Sequence, residues 1–414
     1  MRKKIGLCLL SIAVAVVCAA GSVSAAKEDA GLLAAFVRGG NLWVKAGGRE
    51  TKLADGPHIR NPKWSYDGAW LAYAKGEAEP ELWVLNTRSG QSRRVAAAGG
   101  RSFQWAPGAD KLAYLTGDRL QVAEAMQPDR PLESAEGIGN FAWLPDGSGF
   151  LVSTRSELLP DGWTPIILYR IPLTKLSDPS QYVKVHVLPK QSDDFFAVGT
   201  SSFKWSADGR WIAFLATPTA SLSADANTLC ALSADGVVFR TLDQMVNNEQ
   251  WFEWGPKDAM LAYIEGPGRE AGSNKRLKVL DVVTGKSGTY TPGGFVDNDF
   301  AWQGAEHIVV SRAKELSAGA AGNGRHNPHL LSVKLADGMQ TAVTKPAAAF
   351  GDYNPQPLAM AGRLSWVRSD AKLANVIVAR PNGAKAKTWL TGLDQADSYY
   401  GQWRWDGVLR FFGT

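Results

Sequence analysis

The stretch "FKWSADGRWIAFLATP" (Phe203–Pro218) decides the fold. It consists of two strand-like segments joined at Ala-Asp-Gly, and Asp-Gly supplies the positive φ that a tight hairpin requires. Nearly the same phrase occurs as "PKWSYDGAWLAYAKG" from Pro62 and as "FAWLPDGSGFLVST" from Phe141. The sequence is therefore built from repeated strand–turn–strand units.

The spacing of the repeated Trp predicts the architecture. The first six are 41, 38, 62, 49 and 48 residues apart, and a four-stranded propeller blade takes roughly 40–50 residues. A further Trp is assigned to the last unit, and the unit before it has Leu358 in place of the indole. The aligned residues are Trp64, Trp105, Trp143, Trp205, Trp254, Trp302 and Trp403.

Each unit continues as a meander of four strands, and one such meander cannot bury both of its faces. Blades stacked radially solve this problem by packing the Trp and "LAY" side chains between them. The sequence thus predicts an all-β fold, a single β-propeller of four-stranded antiparallel blades. Because the chain starts and stops in mid-unit, its N- and C-terminal strands should pair and close the ring. Eight blades are predicted, with seven as the alternative.

The N-terminus has the pattern of a cleaved signal peptide over residues 1–26. Three basic residues precede the apolar run 5–20, which is short for a membrane span of about 20 residues, and small residues follow it. The propeller domain is then residues 27–414, with a long insertion in the blade around 155–200. We expect an extracytoplasmic protein (periplasmic, cell-surface or secreted) without a transmembrane segment after cleavage.

Charge and cysteine content exclude some classes of protein. The formal net charge of the precursor is +5 and falls to +2 when the three basic residues of the signal peptide are removed. Because the basic residues are scattered, no nucleic-acid partner is expected. Cys230 is the only cysteine left after cleavage, and its alternating strand context predicts a buried structural thiol.

Four of the repeats carry a resemblance to a known family. The stretches "KWSYDGAWLAY", "QWAPGADKLAY", "AWLPDGSGFLV" and "KWSADGRWIAF" resemble the Trp-Ser-Pro-Asp-Gly repeats of TolB-type, WD40-like β-propellers. The resemblance covers essentially the whole mature chain. It implies an exported, non-enzymatic module that binds or scaffolds proteins or ligands at the cell envelope.

No catalytic motif predicts an enzyme. The Gly-x-Ser-x-Gly pentapeptide of propeller-bearing serine peptidases does not occur in the sequence. His326 and His329 lack the partners of a usual metal site, so no metal ligands are assigned. The alternative function is a hydrolase or lyase that uses acidic residues at the channel mouth, and the third is a purely structural component.

The segments that lead into the inner strands should converge at one mouth of the central channel, as propeller topology places them. Those of the later blades are acidic and aromatic, and convergent carboxylates favour a cation or a basic partner. We predict a protein or peptide partner there, with a glycan, another small ligand or Ca²⁺ as alternatives and no other cofactor. The alternative is that these segments are solvated turns, whose polarity does not indicate a binding site. The predicted binding residues are Glu249, Asp297, Asp299, Asp352, Tyr353, Asp397, Tyr399 and Tyr400.

The long insertion contains apolar side chains in loop-like surroundings. Trp163, Phe195 and Phe196 form a second candidate interaction patch. The alternative is that they fold back under their own loop.

Overall fold

Each sequence repeat folds as a four-stranded antiparallel meander in the computed structural model, which describes residues 31–100, 102–317 and 327–413. The chain begins with β1 (Leu33–Arg38), β2 (Asn41–Ala46) and β3 (Arg49–Ala54). Blade 1 contains β4 (Ile59–Trp64), β5 (Trp70–Lys75), β6 (Glu81–Asn86) and β7 (Ser92–Ala96). Blade 2 contains β8 (Phe103–Trp105), β9 (Lys111–Thr116), β10 (Arg119–Glu124) and β11 (Glu133–Ala135).

Blades 3 and 4 carry the irregular features. Blade 3 contains β12 (Ile138–Trp143), β13 (Gly149–Thr154), the inserted hairpin β14 (Leu158–Leu159) and β15 (Gly162–Trp163), β16 (Ile167–Pro172) and β17 (Val183–Val187). Blade 4 contains the split inner strand β18 (Gly199–Thr200) and β19 (Lys204–Trp205), then β20 (Trp211–Thr217), helix α1 (Ala220–Ser223), β21 (Asn227–Ser233) and β22 (Phe239–Met245).

The remaining blades are regular. Blade 5 contains β23 (Phe252–Trp254), β24 (Met260–Glu265), β25 (Arg276–Asp281) and β26 (Ser287–Thr289). Blade 6 contains β27 (Phe295–Trp302), β28 (His307–Lys314), β29 (His329–Lys334) and β30 (Gln340–Ala342). Blade 7 contains β31 (Gly351–Leu358), β32 (Arg363–Ser369), β33 (Ala374–Ala379) and β34 (Lys387–Leu393), and after it come β35 (Asp397–Tyr399), β36 (Gln402–Arg404) and β37 (Leu409–Phe411). Short 3-10 turns cover Leu173–Lys175, Pro179–Gln181, Glu249–Trp251, Ala359–Ala361 and Trp405–Gly407.

The eighth blade is shared between the two ends of the chain. Its strand order is β3-β2-β1-β37, so the C-terminal strand is innermost and the N-terminal strands lie outside it. Ala34 pairs with Phe411 and Phe36 pairs with Leu409 in antiparallel register. The predictions of an all-β propeller, eight blades and terminal closure are confirmed, and the seven-blade alternative is excluded.

The second strands of the blades form the apolar core. The "LAY"-type strands are buried over nearly their whole length, and Tyr73, Tyr114 and Phe214 each expose at most 1% of their surface. Strands that are covered on both faces lose their alternation of polar and apolar residues, as these do. Cys230 is buried in β21 in the same way, and burial raises the pKa of its thiol, as expected for a structural cysteine.

The sequence analysis expected all of the repeated Trp side chains to be buried between the blades, and this holds for Trp143 and Trp254. Trp64, Trp105, Trp205 and Trp302 are only partly buried. The indole Nε1 of each donates to a main-chain carbonyl of the preceding blade; Trp105 bonds the Lys63 carbonyl at 2.9 Å. Trp143 and Trp254 make the same kind of bond, so the repeated indole joins neighbouring blades through a hydrogen bond whether it is buried or partly exposed.

The assignment of Trp403 to the repeat is also wrong. Trp403 lies in β36, outside the eight blades, and Phe411 of β37 occupies the position that corresponds to Trp64 of β4. In blade 7, Pro357 pairs with Leu364 and so occupies the position of the indole, one residue before the Leu358 that the sequence analysis assigned to it.

The proposed signal peptide at residues 1–26 and His326 lie outside the described residues. Within the described part of the chain, no helix has the length and apolarity needed to cross a bilayer.

Candidate functional site

The mouth of the central channel is formed on the face of the propeller where each inner strand begins, here called the upper face. Since neighbouring strands of a blade are antiparallel, the connections from second to third strands also lie on the upper face. The other connections lie on the lower face. Loops from eight blades thus converge around one opening, a common location for ligand sites.

A hairpin crosses this mouth. We call residues 397–404, which comprise β35 and β36, the strap; it leaves blade 7 on the upper face before the chain enters β37. Its tip reaches the loop between β24 and β25 in blade 5, where the Ala271 N–H donates to the Tyr400 carbonyl at 3.0 Å. The Gln402 amide donates to the Arg269 carbonyl at 2.8 Å, and the Arg269 guanidinium lies 5.4 Å from the centre of the Tyr400 ring. The strap therefore covers the blade 5 side of the mouth.

Stacked aromatic rings support the base of the strap. Trp403 and Trp405 stack with ring centres 5.6 Å apart, and Tyr353 lies 6.3 Å from Trp403 and 6.0 Å from Trp405. Trp405 is fully buried. Tyr353, predicted from sequence as a binding residue, is thus placed in the packing that holds the strap.

Beneath the strap lies a cavity of about 570 Å³ with charged groups of both signs on its wall. Asp397 and Arg404 come from the strap, Asp406 from the turn after it, and Glu249 from the 3-10 turn of blade 5. Asp397 and Arg404 face each other across the two strands of the strap, and the Asp406 carboxylate interacts electrostatically with Lys63 and Lys204. A cavity of about 800 Å³ adjoins this one along blades 1 to 3 and shares Glu249 and Arg404 with it. The mouth is therefore open on the side that the strap does not cover.

Two of the predicted acidic residues lie inside the blades. Asp297 forms a bidentate pair with Arg312, both distances being 2.7 Å, and is fully buried. Asp352 pairs with Arg368 at 2.7 and 2.9 Å and also accepts a hydrogen bond from the Trp366 indole. Each Arg is directly opposite its Asp on the neighbouring strand. These carboxylates are neutralised within their own blades.

Asp299 is also buried, but it has no cationic partner among the described residues. Its carboxylate accepts hydrogen bonds from the Asn354 N–H at 3.1 Å and from the Trp251 side chain. Burial raises the pKa of Asp299 to about 7, and the nearby charge of Asp406 adds to the rise. Asp299 therefore titrates near neutral pH under the strap.

The channel wall contains two lysines that sequence reasoning missed. Lys63 and Lys204 each precede a repeated Trp, and desolvation lowers the pKa of both ammonium groups. Lys63 Nζ donates to the Phe103 carbonyl of the next blade at 2.8 Å, and Lys204 Nζ donates to the Phe252 carbonyl at 2.9 Å. Their position immediately before the Trp of a repeat was the signal that could have identified them.

The other predicted residues are divided between the mouth and the insertion. Tyr399 and Tyr400 are exposed and pack edge to face at the tip of the strap. Phe195 folds back against Phe239, with ring centres 6.2 Å apart, and Phe196 is partly buried. Trp163 is partly buried in the hairpin β14–β15 on the upper face.

No metal centre is evident in the parts of the chain that the structure describes. Within residues 31–100, 102–317 and 327–413, no group of three or more His, Cys, Asp and Glu side chains could hold an ion.

Comparisons with solved structures support the propeller. The chain is similar to a eukaryotic initiation factor, with a TM-score of 0.54, 15% identity and coverage of 86% of this chain and 85% of that one. It is similar to a prolyl endopeptidase, with a TM-score of 0.52 and 13% identity, and to a puromycin-hydrolyzing peptidase of Mycobacterium tuberculosis, with 0.50 and 14%. The likeness is one of fold. The matches cover 81% and 90% of this chain, which spans only 50% and 55% of the two peptidases.

By sequence, no protein family and no curated protein matches the chain. The functional interpretation based on TolB, an exported non-enzymatic binding or scaffold module of the cell envelope, is contradicted. The solved structures compared above are an initiation factor and two peptidases, and none of the three is a TolB protein.

Proposed function

We propose that this protein takes part in peptide turnover and that its channel mouth receives the end of a peptide substrate. The observation that carries the proposal is the presence of charges of both signs on one 570 Å³ cavity: Asp397 and Arg404, which face each other across the strap, and Asp406. A peptide end carries a single charge next to an amide backbone. A wall with both signs can bind either terminus while its amide side chains bond the backbone.

The polar lining supports a peptide ligand. Asn247, Asn248 and Gln250 lie on the same cavity wall and can act as donors and acceptors for peptide groups. The cavity volume of about 570 Å³ lies within the range of about 300–1,000 Å³ that is common for ligand pockets. The cavity can therefore hold a peptide end of two or three residues. The similarity in fold to the propellers of two peptidases is consistent with this class of ligand, as an analogy.

Calorimetric titration with trialanine in three forms tests the proposal: free at both ends, acetylated, and amidated. We expect Arg404→Ala to weaken binding of peptides with a free carboxylate about tenfold or more, because one charge-assisted hydrogen bond contributes about 1.5–3 kcal/mol. Asp397→Ala should selectively weaken peptides with a free amine. The matched controls are Arg49→Ala and Asp129→Ala, which remove exposed charges remote from the mouth.

Mass spectrometry of the same mixtures separates binding from turnover. Cleaved peptide would assign catalysis to this chain, and intact peptide would assign it a substrate-receiving role. No binding of any trialanine form, or equal affinities for all variants, would refute the proposal.

A further inference from the structure

The lower end of the channel is an aromatic bowl. We define it as the cavity of about 350 Å³ whose wall comes from the inner strands of blades 1 to 4 and the turns after them. Its ring-bearing residues are Trp64, Tyr66, Trp105, Pro107, Trp143, Phe203 and Trp205. Tyr66 is 54% exposed.

The bowl presents rings but few free hydrogen-bonding groups. The four indole N–H groups donate to main-chain carbonyls of preceding blades, at 2.9 to 3.2 Å. The Gln104 amide donates to the Phe141 carbonyl at 3.1 Å. A sugar would need several hydrogen bonds to its hydroxyls, which this wall cannot supply. Proline rings lack an N–H group and pack well on aromatic surfaces in the polyproline II conformation.

Cavities that share wall residues lie between the bowl and the mouth. A middle cavity of about 490 Å³ shares Asn61, Lys63 and Asp406 with the mouth cavity. It also shares Trp64, Tyr66, Gln104 and Trp105 with the bowl. One extended ligand can therefore contact both ends of the channel.

We propose that the bowl is a second binding site, specific for a proline-rich, extended peptide segment. This inference rests on the proposed function in that the same peptide would place its charged end at the mouth. An inner strand of six residues such as β4 is about 20 Å long. At about 3.1 Å per residue in polyproline II, six to seven residues reach from the bowl to the mouth.

The test uses acetylated and amidated hexaproline, which has no charged end and therefore binds without the charged groups of the mouth. In calorimetric titrations we expect hexaproline to bind the wild-type protein, with at least fivefold weaker binding to Tyr66→Ala and little change for Tyr66→Phe. Arg404→Ala should leave its affinity unchanged. Val237→Ala is the matched control, since Val237 is 77% exposed on a lower-face loop away from the bowl.

The outcomes separate the two proposals. If trialanine fails to bind but hexaproline binds in a Tyr66-dependent way, the proposed function is refuted and the bowl is supported. Three outcomes would overturn the bowl proposal. Hexaproline does not bind the wild-type protein, it binds Tyr66→Ala equally well, or cellohexaose binds instead in a Tyr66-dependent way. A Tm of Tyr66→Ala equal to that of the wild-type protein would show that the variant is folded.

Discussion

Removing the Asp297 carboxylate should destabilise the propeller strongly, because it leaves a buried Arg without its counter-ion. Arg312 is 2% exposed and Asp297 is 0% exposed. Arg312 also donates to the Gln340 side chain and the Tyr290 carbonyl, so it is held in place after the substitution. Breaking a buried ion pair on one side costs about 3–5 kcal/mol. Asp297→Ala should lower the free energy of unfolding by that amount.

The pair in blade 7 provides an internal comparison. Arg368, the partner of Asp352, is 30% exposed and can be solvated by water when its carboxylate is removed. We therefore expect Asp352→Ala to cost less, about 2 kcal/mol, which includes the loss of the Trp366 hydrogen bond. The difference between the two variants measures the effect of burial on an orphaned guanidinium group.

Equilibrium unfolding in urea, followed by Trp fluorescence, measures both losses from the transition midpoints at constant slope. The double variant Asp297→Val/Arg312→Met should recover at least half of the loss in Asp297→Ala, because apolar replacement of a buried pair is often neutral or stabilising. A cost below about 1 kcal/mol for Asp297→Ala, or a larger cost for Asp352→Ala, would refute this reasoning.

Three further predictions concern the ring and the mouth. Trp105→Phe loses the hydrogen bond to the Lys63 carbonyl and should lower the free energy of unfolding by about 1 kcal/mol. Unfolding entropy is about 2.1 cal/mol/K per residue, so the Tm of a 414-residue chain should fall by about 1 °C. Calorimetry measures this shift, and a fall of more than about 5 °C would contradict the prediction. Because the folded pKa of Asp299 is raised to about 7, the folded state binds a proton more tightly than the unfolded state, and stability should fall as pH rises from about 4 to 7. The Tm of Asp299→Asn relative to wild type should then increase from pH 5 to pH 8, and a constant difference would contradict the assignment. Truncation after Gly407 removes β37 and should lower the Tm sharply, whereas unchanged melting would show that terminal pairing does not close the ring.

The repeat made the architecture predictable from sequence because period, turn chemistry and strand pattern all agreed. The last unit misled because "QWRWDG" imitates a repeat, whereas the strand that closes the ring, Leu409–Phe411, has no Trp. Exposure of the repeated indoles could not be predicted either. A buried Trp and a partly exposed Trp occupy the same position in the repeat, so the sequence does not distinguish them.

The candidate site was only partly accessible to sequence reasoning. Asp397 does line the mouth cavity, since chain topology alone places its segment there. The pairing of Asp297 with Arg312 depends on cross-strand register, which turn lengths and a bulge determine together. The positions of Arg404 and Asp406 at the cavity depend on how the strap crosses the channel, and this hairpin follows no repeat.

The composite blade has a consequence for how the protein is made. β37 is synthesised long after its partner β1, so the inner edge of β1 stays unpaired until residues 409–411 have emerged from the ribosome. Pairing over nearly the whole chain length slows folding, and an unpaired strand edge promotes aggregation while it persists. Seven blades can form as the chain emerges, but the eighth is completed only when β37 appears. A chain that terminates before Leu409 therefore yields an open ring, which the quality-control systems of the cell would treat as misfolded.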